Sequence, residues 1–194
     1  MVKNKNSFYF NYYIIIFVLL ISIVIYLYTL PRYIPFLPTL PIYPDSNKEA
    51  TIVKNITQNR DPDLIRLFYK TDDSVADAFT DVLQLDKANV ESVMYHVNYL
   101  TLFFKYTINR PRPVQIDKTI DVLFSRTGNT PAYPSGHSCQ AFYIAKYYSR
   151  IYPEKKAILY TIAEQCGQAR IQAGIHYPSD HKFSKWLVET LFFH

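Results

Sequence analysis

From Phe8 to Leu30 the chain carries no charged residue, and from Ile14 onward the run is almost purely apolar. At a rise of ~1.5 Å per residue a helix of this length reaches ~34 Å, enough for the hydrocarbon core of a bilayer. Uncharged on every side, such a helix has no face to offer water. A cleavable signal peptide calls for a shorter apolar region and small residues at the cleavage site. The run instead passes into Tyr28-Thr29-Leu30-Pro31-Arg32-Tyr33, with no A-x-A pattern. The expectation is therefore an uncleaved signal anchor over residues 8–30. Lys3, Lys5 and the amino terminus outweigh Arg32, so the positive-inside rule puts residues 1–7 in the cytosol and the rest in the lumen or outside the cell.

Beyond the run stand Pro31, Pro35, Pro38, Pro41 and Pro44. That spacing forbids a helix and favours an extended, semi-rigid spacer over residues 31–45. A single domain is expected from 46 to 194. Asn55-Ile56-Thr57 is an N-glycosylation acceptor that fits a lumenal orientation.

With 49% hydrophobic residues the chain has material for a core. Tyrosine (18) and phenylalanine (13) are abundant and glycine is scarce (4), which favours helices over a sandwich or barrel. The expected fold class is all-α, a compact helical bundle behind one transmembrane helix. The net charge of +5 is spread along the chain, whereas nucleic-acid binding needs it clustered on one face. Cys139 and Cys166 form no C-x-x-C and read as small buried side chains. A bridge between two packed helices, whose axes lie ~8–10 Å apart, needs side chains aimed straight at each other.

Asp61-Pro62 predicts a helix start, with a capping side chain and proline at the first turn. A second helix is expected from Asp73 or Ser74 to about Leu85. A third runs from about Lys87 to Thr107, its apolar positions recurring at three and four, and ends near Asn109, where Pro111 and Pro113 forbid continuation. Residues 114–133 read as a long connection of the kind that walls an active site. Three more helices are expected: Ser135 to about Ile151, Glu154 to about Gln172 with Gly174 as its left-handed cap, and Pro178 to Phe193.

Three segments carry chemistry. The first is Lys105…Arg112-Pro113, the second Pro134-Ser135-Gly136-His137 at a helix start, and the third Arg170…His176…Asp180. A phosphoryl group in transfer spreads negative charge over three oxygens, and stabilising that charge with placed cations and backbone donors is most of the catalytic task. Lys105, Arg112 and Arg170 supply cations, the arginines with a planar fork that suits two oxygens at once. Ser135 and Gly136 open a helix, whose unpaired N–H groups favour an anion, and glycine lets the backbone approach closely. His96, His181 and His194 have no such context and read as structural or exposed.

Taken together the segments resemble the type 2 phosphatidic acid phosphatase superfamily, which includes bacterial class A acid phosphatases and vanadium-dependent haloperoxidases. The family pattern is Lys-x6-Arg-Pro, then Pro-Ser-Gly-His, then Ser-Arg-x5-His-x3-Asp. Every position matches except Ala169, where the family has serine. The resemblance covers roughly residues 61–192. It implies that His176 is the nucleophile that takes the phosphoryl group, that Asp180 orients it through the other ring nitrogen, and that His137 protonates the leaving oxygen and then activates water. It implies a phosphate cradle of Lys105, Arg112, Ser135, Gly136 and Arg170, with no metal or other cofactor. Ala169 removes a supporting hydroxyl.

The expected activity is that of a membrane-anchored phosphomonoesterase acting on a lipid phosphate or a soluble phosphate ester. Two alternatives remain beside it. In the haloperoxidase branch the same cradle holds vanadate, with the histidine equivalent to His176 bonded to vanadium. A non-catalytic anchored protein of the same fold is the other.

Overall fold

The computed structural model describes residues 13–22, 33, 39–40 and 42–192. The chain divides into two units, Met1–Arg32 and Tyr33–His194. In the first, residues 13–22 are helical; the remainder of the span expected over 8–30 lies outside the described residues, as do the 1–7 tail and most of the 31–45 spacer. Among the described residues no helix is long and apolar enough to cross a membrane.

The second unit is built of α1 (Ser46–Gln58), α2 (Pro62–Lys70), α3 (Thr80–Leu83), α4 (Lys87–Ser92), α5 (Tyr95–Ile108), α6 (Pro113–Ile116), α7 (Gly136–Ile151), α8 (Lys156–Gln172) and α9 (Pro178–Leu191), with 3-10 turns at Val75–Ala78 and Pro153–Lys155. No strand occurs among the described residues. The centre is α7. It buries Cys139, Ala141, Phe142, Tyr143, Ile144 and Ala145, so nearly its whole circumference faces protein, as expected of a helix apolar on most sides. Tyr152-Pro153 turns the chain back, α8 packs along α7, and α9, α5 and the first 3-10 turn close its other sides. The core that results joins Phe79, Val90, Val97, Phe142, Leu159 and Leu187. Burying one such aromatic contributes roughly 2–3 kcal/mol.

Several expected elements take a different form. The helix expected from residue 73 or 74 to 85 is a 3-10 turn followed by the short α3, which ends at Gln84 in the left-handed region (φ 57°). The helix expected from 87 to 107 is two, α4 and α5, with a turn at Val93-Met94. Val90, Met94 and Val97 are nevertheless all buried. Apolar spacing reports which face is covered and is blind to whether the backbone ladder runs on through a turn. Asn109 closes α5 in the left-handed region (φ 50°), and Gly174 closes α8 there too (φ 79°). At Gly174 a Cβ would also stand 2.9 Å from the Asp121 carbonyl, so both conformation and close approach call for glycine.

The helix α1 has no counterpart in the sequence reading. Asp45 caps it by accepting from the Asn47 N–H at 2.8 Å. Its buried side carries Glu49, Ala50, Val53 and Thr57, too polar a face to register as an apolar stripe. The Asn55 acceptor lies in this helix, with Asn55 exposed and Thr57 buried. Cys139 and Cys166 are free, buried thiols.

Candidate active site

The three segments converge on one pocket of about 250 Å³, lined by Lys105, Arg112, Gly136, His137 and His176, with Asn98, Thr101 and Leu102 of α5 at its side. The long connection also lines the pocket, through Thr127 and Thr130. This connection does more than enclose. Its carbonyls aim the cations: Lys105 Nζ donates to Pro131 O at 2.5 Å, and Arg112 Nε donates to Thr130 O at 2.8 Å.

His176 is held from both ring nitrogens. Arg112 Nη1 lies 2.9 Å from Nε2, and the Asp180 Oδ2 carboxylate oxygen lies 2.9 Å from Nδ1. A guanidinium only donates, so Nε2 accepts and carries the lone pair, while Nδ1–H donates to Asp180. The local sequence explains the pairing. Pro178 stands in the first turn of α9 and Asp180 three residues after Tyr177, where its Oδ2 also accepts the Tyr177 N–H at 2.9 Å. The side chain that satisfies the helix start thereby comes to hold the histidine one residue before it.

Behind Asp180 lies a residue the sequence reading did not single out. Arg110 is fully buried, and its guanidinium pairs with Asp180 Oδ1 at 2.7 Å and Glu49 Oε2 at 2.8 Å. Tyr177 and Tyr43 cover its faces at 3.8 and 4.4 Å. Glu49 in turn accepts the Ser179 N–H at 3.0 Å. Arg110 stands two residues from Arg112 in sequence, and its partner on α1 is 61 residues away.

His137 opens α7, and its Nε2–H donates to the Asp72 carbonyl at 3.2 Å. Arg170 does not line this pocket. It is fully buried behind it, pairs with Asp72 Oδ1 at 3.2 Å, and donates to Phe68 O and Thr71 Oγ1. Its Nε has no partner among the described residues. Asp72, also absent from the sequence reading, thus bridges Arg170 and His137. Burial works to raise its carboxyl, yet the Ser125 hydroxyl, the Arg126 N–H and the Arg170 charge hold it below the usual carboxylate range.

Ser135 turns inward as well. Its Oγ caps α7 by accepting from the Ser138 N–H at 3.4 Å and lies 3.0 Å from Ser138 Oγ. Ser138 Oγ meets His181 Nδ1 at 3.0 Å, and His181 Nε2 meets Glu164 Oε2 at 2.8 Å. His181, expected to be structural or exposed, is a buried link in a chain of polar groups that ends at Ser135. Room for its ring comes from Gly167, where a Cβ would stand 1.9 Å from Nδ1. At Gly136, by contrast, a Cβ would meet only Lys105 Cε at 3.8 Å and Thr101 Cγ2 at 3.9 Å; packing does not demand glycine, whose absent side chain leaves room in the pocket. Ala169 is fully buried among Phe68, Ala173 and Ile175.

The electrostatics of the site are those of buried cations short of counter-charge. Burial lowers Arg112 to about 10 and pushes Lys105 well below the usual amine range, with Arg112 adding to the effect. Burial, then Arg112 and Lys105, keep the His176 imidazole neutral. Burial and Arg170 push His137 down to about 3. Burial raises Asp180 to about 6 against the pull of Arg110. An anion entering this pocket relieves each cationic shift at once. No group of three or more His, Cys, Asp or Glu side chains suited to a metal ion occurs among the described residues.

A comparison with curated proteins found no match. The family model of the PAP2 superfamily matches residues 89–189. That span is more than half of the chain and holds all three segments, with Lys105, Arg112, His137, His176 and Asp180 among them. The chain belongs to the PAP2 superfamily.

Proposed function

We propose that the protein is a membrane-anchored phosphomonoesterase that works through a phosphohistidine, without a metal, on a lipid phosphate or a soluble phosphate ester. The observation that carries this reading is His176, neutral, with its Nε2 lone pair beside Arg112 and its Nδ1–H on Asp180. The substrate phosphate enters among Lys105 and Arg112. As it does, the Arg112 guanidinium turns its donors from Nε2 to the phosphoryl oxygens. The Nε2 lone pair then forms the N–P bond while the P–O bond to the leaving group breaks. His137 gives its proton to the leaving oxygen, after the substrate dianion has raised its affinity for one. The imidazolium character of the phosphorylated ring is balanced by Asp180. Water then attacks phosphorus, its proton passes to His137, the N–P bond breaks, and phosphate leaves.

Anchoring rests on the uncharged run over residues 8–30, whose described part, 13–22, is helical with Ile14, Phe17, Leu19 and Leu20 exposed. In this reading the catalytic domain lies in the lumen or outside the cell.

The test uses the full chain in detergent, assayed on phosphatidic acid and on an aryl phosphate, with and without chelator. Phosphate release is expected from at least one substrate, unchanged by chelator. His176→Ala should lower the rate by at least about a thousandfold, because it removes the nucleophile. Activity that survives His176→Ala, or that disappears with chelator, refutes the mechanism.

A further inference from the structure

The helix α5 carries two jobs on adjacent edges. One edge supplies Thr101, Leu102 and Lys105 to the pocket. The next presents Tyr95, Tyr99, Phe103 and Tyr106 to solvent, with Tyr99 75% and Phe103 62% exposed. These positions recur at three and four and so form one stripe along a helix of 14 residues, ~21 Å long. Between Glu91 and Lys105 the sequence has no Asp, Glu, Lys or Arg. Rings continue the patch onto α9: Phe103 touches Phe104 with centroids 5.6 Å apart, Phe104 touches Phe183 at 6.0 Å, and Phe183 stacks on Trp186 at 5.3 Å. Trp186 is itself 55% exposed. A contiguous aromatic surface of this kind marks something that covers it.

We infer that this face of α5 seats the domain on the surface of a lipid bilayer, with the pocket mouth at the level of the headgroups. The composition suits that occupant: tyrosine and tryptophan, with an apolar body and a polar tip, are the residues of membrane interfaces, and an uncharged stripe enters the acyl boundary without burying a charge. The chain itself points the same way. The stretch that leads back toward the apolar residues 13–22 meets the domain at the last turn of α5, where the Leu40 N–H donates to the Ile108 carbonyl at 3.2 Å. Leu40 and Ile42 on that stretch are exposed apolar side chains. A tether that arrives at the end of the helix that carries the stripe keeps it near the membrane, and the stripe then orients the pocket that Leu102 borders. The selection of a lipid phosphate by this orientation rests on the phosphatase reading; the docking itself does not.

Trp186 is the chain's one tryptophan and reports on the patch directly. The full chain is reconstituted into phosphatidylcholine vesicles containing a minor fraction of phosphatidic acid, with and without bromine on the acyl chains. Brominated lipid should quench Trp186 fluorescence. The Tyr99→Glu, Phe103→Glu double variant should lose that quenching and hydrolyse vesicle phosphatidic acid about tenfold more slowly, while its rate on a soluble aryl phosphate stays unchanged. Tyr95→Ser with Tyr106→Ser is a milder second pair should the charged one misfold, and should show both losses in weaker form. Unquenched Trp186 in the wild type overturns the inference, as does a double variant that is quenched and hydrolyses lipid like the wild type. Should the stripe instead bury a second copy of the chain, the wild type will sediment as a dimer that the double variant dissociates, with no quenching by lipid. If the wild type hydrolyses neither substrate yet is quenched through the stripe, the phosphatase reading falls and the docking stands.

Discussion

Arg110→Met removes a buried charge from the second layer of the site while nearly preserving its volume. Arg110 is the counter-charge to Asp180 and Glu49, at 2.7 and 2.8 Å. Two unit charges about 4 Å apart at an effective dielectric of about 20 interact by about 4 kcal/mol, equivalent to about three pH units on a carboxyl. Water admitted to the site shrinks that, so we expect the Asp180 carboxyl, already raised to about 6 by burial, to climb by about one to two units. A protonated Asp180 cannot accept the His176 Nδ1–H as a carboxylate does, and activity at pH 7 should fall about two- to tenfold, in step with the carboxylate fraction lost. The signature is the acid limb of the kcat profile, which should move from near 6 to above 7. Stability should drop as well, by about 3–5 kcal/mol for leaving buried carboxylates without their cation. The sign with pH comes from linkage. Asp180 titrates at about 6 in the folded state and near 3.8 when free. Its contribution is therefore lost as pH rises through that window, and the window extends upward in the variant. Arg110→Lys keeps the charge and should restore most of the acid limb. The assay is kcat against pH on an aryl phosphate, alongside thermal unfolding. An acid limb that stays in place, whatever the loss of stability, refutes the role given to Arg110.

His137, pushed down to about 3 by burial and by Arg170, should remain neutral in the free protein throughout the neutral range and gain proton affinity when vanadate or phosphate binds. Imidazole resonances followed by NMR across pH check this, and a charged His137 in the free protein at pH 7 contradicts it. Because its folded value lies below the free value of 6.5, the stability it contributes is lost as pH falls from about 6.5 toward 3. Gly167→Ala puts a methyl group 1.9 Å from His181 Nδ1. Displacing that ring from the Glu164–His181–Ser138–Ser135 chain should cost about 1–3 kcal/mol, and an unchanged melting temperature counts against the chain's importance.

Ala169 illustrates how a departure from the family pattern is absorbed. Its neighbours Phe68, Ala173 and Ile175 are apolar, so the wall behind Arg170 is closed by packing. The cation it adjoins is instead oriented by Asp72, Thr71 and the Phe68 carbonyl. Arg170 therefore acts from behind the pocket, by its ion pair with Asp72 and by its charge on His137 and His176.

What the sequence determined by itself is the part of the protein written in local or strictly ordered terms. The all-helical class, the starts at Pro62, Ser135 and Pro178, the left-handed Gly174 and the long wall over 114–133 come from caps, prolines and apolar spacing, which act within a turn or two of chain. The identity of Lys105, Arg112, Gly136, His137 and His176 as pocket residues was legible because their spacing and order are distinctive. The pairing of His176 with Asp180 was legible for the same reason, the two standing four residues apart at a helix start. Tertiary structure decided what has no local signal. Arg110 finds Glu49 across 61 residues, and Asp72 meets Arg170 across 98. Neither pairing leaves a period or a motif in the chain, and the helix that brings Glu49 was itself hidden by the charge it buries. The inward turn of Ser135 and Arg170 was equally out of reach. A motif names which side chains are near the pocket, whereas competition among buried partners for each donor settles which of them face it.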